Sequence, residues 1–286
     1  MYQPTKLYLD ILFDDKIKFY EGDSICVKSD ENNIFFGYIF TKKVIDSDIV
    51  SIIAYDQIRY LIARDTYIYK NKTASQVLKM ICADFNVKTG SIEDTNYIIP
   101  YRIEENQSIL DIIYTSLDLT KSFNGNQYVL FDDFGKVALK SYNSMKMPIL
   151  IDCNNSVISY SHTTSIDKNV YNSVKVSVKN KKTKVISTYL EEDEKNKQKW
   201  GTLRIFKRLP NDFNSVQAKN YAQNILSIYN KLSEKIEVVC LGNEKVRAGN
   251  LIDIIIENNT KTMIIEECTH TIQNNEHTMK LLLSNV

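Results

Sequence analysis

Cys268, His270 and His277 are the residues here whose types and spacing come nearest to a reactive or metal-binding set. Cys268 and His270 alternate onto one face of an apolar run. His270 and His277 bracket a polar Asn274-Asn275 pair that reads as a hairpin turn. A metal needs further ligands at compact spacing, and none follows, so satisfied or exposed surface residues are the expected reading. His162 lies in the polar stretch SYSHTTS with no evident partner.

Carboxylates come in adjacent pairs: Glu93-Asp94, Glu104-Glu105, Asp132-Asp133 and the run Glu191 to Glu194. Glycoside hydrolysis needs two carboxyl groups facing each other across a cleft. Adjacent acids in Asn/Gly-rich surroundings read instead as solvated turns. There is no Gly-rich phosphate loop, no Gly-x-Ser-x-Gly elbow and no His-Glu-x-x-His. The basic run Lys179 to Lys184 lacks interleaved aromatic rings, so it reads as a solvated hairpin tip; contact with an acidic partner subunit is the other option. No cofactor, catalytic or metal residue is assigned, and no enzymatic activity is expected.

The elements around these residues form a pattern of their own. Glu244 to Ile256 runs from a charged approach through Ala248-Gly249-Asn250 into apolar residues. Glu21-Gly22-Asp23 opens onto SICVKS in the same way. Each copy then reaches Glu-Asn-Asn, at Glu31 and at Glu257, and two further β-rich runs follow each. Gly and Asn tolerate the backbone of a tight turn, so Gly22, Asp23, Gly249 and Asn250 are expected to be corresponding corners of two related β-modules; the alternative is two unrelated hairpins whose polar turns look alike. Aligning the glycines requires a gap of one residue.

Residues 1–60 read as short strands, from Leu7–Phe13 and Ile17–Phe19 through Ile49–Tyr55. Residues 61–148 change to an α/β unit. Thr73-Ala74-Ser75-Gln76 is a capping box opening a helix with Val77, Leu78 and Ile81 inward. A second helix follows Asn106, and Gln127–Phe131 pairs with Lys136–Ser141 across Asp132 to Gly135. Met147-Pro148 is the expected exit. Residues 149–286 return to β, with Val174, Val176 and Val178 in alternation and one long helix over 214–233.

The 286 residues are 43% hydrophobic and 25% charged, with 36 Lys and Arg against 35 Asp and Glu. A net charge of +1 gives no global reason to expect a nucleic acid or an anionic membrane as partner. No apolar run is long enough to span a bilayer, and MYQPTKLYLDIL lacks a secretory signal pattern. Five scattered cysteines suit a reduced, cytoplasmic site of synthesis.

TASQVLKMICADFNV is similar to the first helix of a LysM-type module, which implies cell-wall binding as one alternative. A wider likeness covers nearly the whole chain. Ala54 to Leu61, Asp65 to Tyr69, NKTASQVLKMICADF, Tyr128 to Lys136, Tyr171-Asn172, Lys199-Trp200-Gly201, Val246 to Gly249 and Asn275-Glu276-His277 resemble, in order, the XkdQ/YqbQ family of phage-like tail proteins. That resemblance implies a hub fold like those of T-even phage baseplates and late-control D proteins. The fold expected is β-rich α+β: two tail-tube-like β-barrel modules, over 1–60 and 149–286, with the α/β insertion at 61–148 between them. It implies a homotrimer joining the sixfold tail tube to the threefold central spike. LysM-type adaptor, baseplate wedge and tape-measure proteins would be neighbours. Such a protein would be made in the bacterial cytoplasm and assembled into a phage tail or bacteriocin released on lysis. The chain's end at Val286, just after the last strand, is read as favouring a contractile-tail hub without a fused enzyme. A tail-associated peptidoglycan hydrolase is the remaining alternative.

Overall fold

Short β-branched and aromatic runs separated by polar turns dictate strands, and the computed structural model is dominated by them. It describes residues 3–12, 18–29, 32–45, 49–180, 183–211 and 213–286. Phe13, Ile17, Glu31, Lys181 and Lys182, which the sequence reading included, lie outside the described residues.

The first four strands are β1 (Lys6–Leu12), β2 (Ser24–Ser29), β3 (Asn32–Ile45) and β4 (Ile49–Tyr55). They pair antiparallel in the order β1-β4-β3-β2. One face gathers Ile39, Val50 and Ile52 with Leu9, Ile11, Phe19 and Ile25. The other carries an aromatic row in which Tyr38 and Phe40 meet Tyr60 at 5.7 Å between ring centres. Gly37 is required where β3 crosses Tyr55: a Cβ there would come within 2.3 Å of the Tyr55 carbonyl oxygen.

A 3-10 turn at Gln57–Ile62 leads into the α/β unit. Its elements are β5 (Arg64–Lys72), α1 (Ala74–Asp84), β6 (Thr89–Ile92), β7 (Ile99–Ser108), α2 (Ile109–Asn124), β8 (Tyr128–Asp132) and β9 (Val137–Ser141). β5 pairs with β7, and β6-β9-β8 form a second small sheet. The capping box is formed: Gln76 N donates to Thr73 Oγ1 at 3.3 Å, and Thr73 N donates to Gln76 Oε1 at 3.1 Å. Leu78 and Ile81 of α1 and Ile109, Ile112 and Ile113 of α2 are buried in one core with Leu139. Each such side chain contributes about 1.5–3 kcal/mol by leaving water. α2 ends at Gly125, whose φ of 76° terminates the helix.

The rest of the chain divides between two sheets. β10 (Lys146–Asp152) and β11 (Val157–Ser165) come first. Then follow β12 (Ser173–Lys179), β13 (Ile186–Glu192), α3 (Glu194–Trp200), β14 (Arg204–Leu209) and α4 (Ser215–Tyr229). The chain finishes with β15 (Ser233–Leu241), β16 (Leu251–Ile256), β17 (Asn259–Gln273) and β18 (Glu276–Asn285). The larger sheet has the order β10-β16-β17-β18-β15-β11, and its two edge strands are joined by residues 153–156 alone. The smaller has the order β13-β12-β14.

Met147-Pro148, the expected exit from the α/β unit, lies inside β10, at a break in pairing with β16 between Lys146 and Leu150. Proline has no N–H for the ladder, so the strand bulges there. The long helix, α4, spans Ser215–Tyr229 after its Asn214 cap, ending at Tyr229 rather than at the expected 233, and packs on the small sheet. Val174, Val176 and Val178 supply the apolar face that its Ala218, Tyr221, Ala222 and Ile225 need.

Candidate assembly corners and the residues around them

The Gly22-Asp23 and Gly249-Asn250 turns are built from the same hydrogen bonds. Gly22 N donates to Ile39 O at 2.8 Å, and Ile39 N donates back to Asp23 O at 2.9 Å. Gly249 N donates to Ile265 O at 2.7 Å, and Ile265 N donates back to Asn250 O at 2.9 Å. Asp23 Oδ2 accepts from Tyr20 N, and Asn250 Oδ1 accepts from Arg247 N, both at 2.8 Å. Asp23 N and Asn250 N donate to the carbonyls of Tyr20 and Arg247, both at 3.2 Å. The glycines share a backbone, with φ of 93° and 92°. Glycine alone takes that region without strain.

The match extends beyond the turns. A bulge follows Ile39 in the β3–β4 pair, and another follows Ile265 in the β17–β18 pair. The order β1-β4-β3-β2 recurs as β15-β18-β17-β16. Leu7, Leu9 and Ile11 face Ala54, Ile52 and Val50; Ile236, Val238 and Cys240 face Leu283, Leu281 and Met279. The surroundings differ. β10 and β11 flank the second set, so Ile236, Val238 and Cys240 are buried. Leu7, Leu9 and Ile11 are only half-buried.

The corners themselves also differ in exposure. A Cβ on Gly249 would approach Val129 Cγ1 to 2.3 Å, whereas one on Gly22 would meet nothing within 4 Å. Asn250 is buried and its side-chain amide donates to Met145 O at 3.4 Å, while Arg247 lies over the Phe131 ring at 4.9 Å. The second corner is thus seated on the α/β unit and the first is open.

The structure brings Cys268, His270 and His277 together at one end of the large sheet. His270 Nε2 donates to Val246 O at 2.8 Å and its Nδ1 lies 3.0 Å from His277 Nε2. Since Val246 takes the His270 proton on Nε2, Nδ1 must accept, and His277 donates from Nε2. Cys268 Sγ lies 3.2 Å from His270 Nε2. Burial holds His270 below its ordinary value and pushes the Cys268 thiol up to about 12. A buried His270 and a protonated Cys268 thiol make a packing cluster, not a nucleophile. Among the described residues no three His, Cys, Asp or Glu side chains form a metal-ligand set. His162 does have a partner, Glu234 Oε1 at 2.7 Å, and Lys261 bonds the same carboxylate.

Most of the acidic pairs have structural partners. Glu93 accepts from Ser141 N, Asp94 from Ser75 Oγ and Asn96 N, and Glu104 from Arg102 Nε. Hydrogen bonds from Ser173, Lys197 and Arg204 hold the Glu192 carboxyl down at about 2. Asp193 caps α3 through Asn196 N. Asp132 is buried, accepts from Gly135 N at 2.6 Å with Oδ1, and leaves Oδ2 without a hydrogen bond.

Asp56 escaped the sequence reading. It is buried, accepts from Thr5 N at 2.8 Å and Ile58 N at 3.0 Å, and is pushed up to about 7, mainly by burial and further by the charge of Asp132. The available signal was its position between the apolar run of β4 and the following turn, which is an N-cap position.

Comparison with known proteins places this arrangement. The YqbQ-like family model matches residues 1–284. The chain belongs to the YqbQ-like family. It is 26% identical over 266 residues to the phage-like element PBSX protein XkdQ of Bacillus subtilis strain 168, covering 91% of this chain and 81% of that one. The fold of this YqbQ-like chain is similar to that of the 43 kDa tail protein of prophage MuSo2 from Shewanella oneidensis. There the TM-score is 0.69 at 13% identity, over 98% of this chain and 89% of that one. It is similar too to a tail protein from Neisseria meningitidis MC58, with a TM-score of 0.70 at 14% identity, over 99% and 88%. No helix among the described residues is long and apolar enough to cross a membrane.

Proposed function

We propose that this YqbQ-like chain is a structural hub of a contractile phage tail or tail-like bacteriocin. Three copies form a ring that joins the sixfold tail tube to the threefold central spike. The observation that carries this reading is the shared hydrogen-bonded corner at Gly22 and Gly249, with the shared strand order behind it. Three chains with two alike sheets each offer six similar surfaces to one neighbour and three to the other. In this reading both sheets serve as tube-like barrel walls. The α/β unit faces outward or towards spike and wedges, and the adaptor and tape-measure proteins are further neighbours. The chain is made in the cytoplasm and leaves in the particle on lysis.

The likeness to phage tail proteins in family and fold supports a structural role. The hydrogen-bonded carboxylates support a role without a reaction, since Glu93, Asp94, Glu104 and Glu192 are already engaged. Light scattering and cryo-electron microscopy of the full chain, alone and with its spike protein, test the reading. A ring of three with six alike sheets is expected. A chain that stays monomeric in both conditions would overturn it.

A further inference from the structure

Charge is unevenly divided along the chain. Residues 171–231 hold 13 Lys and Arg against 5 Asp and Glu, and the remainder holds 23 against 30. The near-neutral total therefore hides a strongly basic unit and an acidic remainder. The basic unit is the β13-β12-β14 sheet with α3 and α4.

Among the described residues, the face of the sheet away from α4 is exposed along its two outer strands. α4 covers Val174, Val176 and Val178, so the alternate residues point away from it. Register sets Lys175 beside Phe206 and Leu190, Ser177 beside Arg208, and Lys179 beside Ile186. Phe206 is 57% exposed, Ile186 60% and Leu190 47%. Arg204 is tied to Glu192 at the margin. Lys175, Lys179 and Arg208 form no ion pair among the described residues.

We propose that this face docks onto the acidic part of the next copy of the chain, head to tail. The proposal rests on the ring reading above and names the surface that closes the ring. A threefold ring forms through heterologous contacts, in which one patch meets a different patch on the neighbour. A chain split into a basic unit and an acidic remainder carries complementary charge for such a contact, which sets its register. Phe206, Leu190 and Ile186 form the apolar centre that excludes water, with Lys175, Lys179 and Arg208 around it. The aliphatic residues weigh against a nucleic-acid strand, which stacks on a series of rings, whereas among the described residues this face offers Phe206 alone beside Leu190 and Ile186.

The test uses the full chain in sedimentation equilibrium at low and high salt, with folding checked by circular dichroism. A Lys175→Glu, Arg208→Glu double variant is expected to weaken self-association roughly a hundredfold. High salt should weaken the parent in the same direction. Phe206→Ser, at an exposed position, should also weaken it and guards against misfolding of the double variant. The double variant keeps the acidic remainder of the chain, so mixing it with the parent should cap rings as open dimers. A folded double variant and a folded Phe206→Ser that both still form trimers overturn the docking face and leave the ring reading standing. A parent that is monomeric alone and with its spike protein removes both. Loss of binding to a single-stranded DNA oligonucleotide, with self-association unchanged, assigns the face to nucleic acid and also overturns the proposal.

Discussion

Gly249 lies so close to Val129 that a Cβ would stand 2.3 Å from Val129 Cγ1, while its counterpart Gly22 has nothing within 4 Å. The same backbone corner therefore has two different tolerances. Both positions carry a positive φ near 92–93°, which costs a non-glycine residue about 1–3 kcal/mol. At Gly249 the collision with β8 adds about 1–3 kcal/mol more. Gly249→Ala is thus expected to lower stability clearly more than Gly22→Ala in urea unfolding. Equal losses would show that the seat on β8 yields easily.

Asp56 predicts a pH dependence with a definite sign. Its value in the fold is about 7 against an ordinary 3.8, so the folded state favours the protonated acid. That contribution is complete below about pH 4 and is lost as pH rises to 7. Asp56→Asn cannot ionise. From pH 4 to pH 8 its stability should improve relative to the parent by an amount on the order of a few kcal/mol. A parent slope over this window that survives in Asp56→Asn would rule out Asp56 as its source.

The His270–His277 pair predicts the opposite sign. His270 is held below its ordinary 6.5 by burial, then by the charge of His277. Its contribution is full above about pH 6.5 and declines as pH falls below that value. His270→Gln keeps a donor for Val246 and should remove the decline. Nitrogen-15 NMR should find both rings protonated on Nε2. A proton on His270 Nδ1 would contradict the arrangement.

Thr73 tests the α/β unit without touching its core. Its hydroxyl caps Gln76 N, and Gln76 caps it in return. Thr73→Ala should cost about 1 kcal/mol. Thr73→Asp, which retains an acceptor, should recover most of it. Indifference to both would mean that burial of Leu78 and Ile81 holds α1 in place unaided.

Local chemistry was legible in the chain itself. Period-two and helical spacing, capping residues and Asn/Gly turns act over a few residues, so α1, α2, the β8–β9 hairpin and the valine strand β12 could be read directly. The family likeness was legible for the same reason: its stretches are such local turns and caps, and their order along the chain is specific. What tertiary structure alone decided were the long-range pairings. Nothing near Met147-Pro148 announces a parallel partner more than 100 residues away, and only folding sets β10 beside β16. The stripe of α4 showed that it must be covered but not by which sheet. Asp56 was unreadable as a buried acid because burial comes from the elements packed around it. The total charge of +1 likewise concealed a basic face that exists only once β12, β13 and β14 lie side by side. Local propensity depends on neighbours in sequence, whereas burial and surface charge depend on neighbours in space.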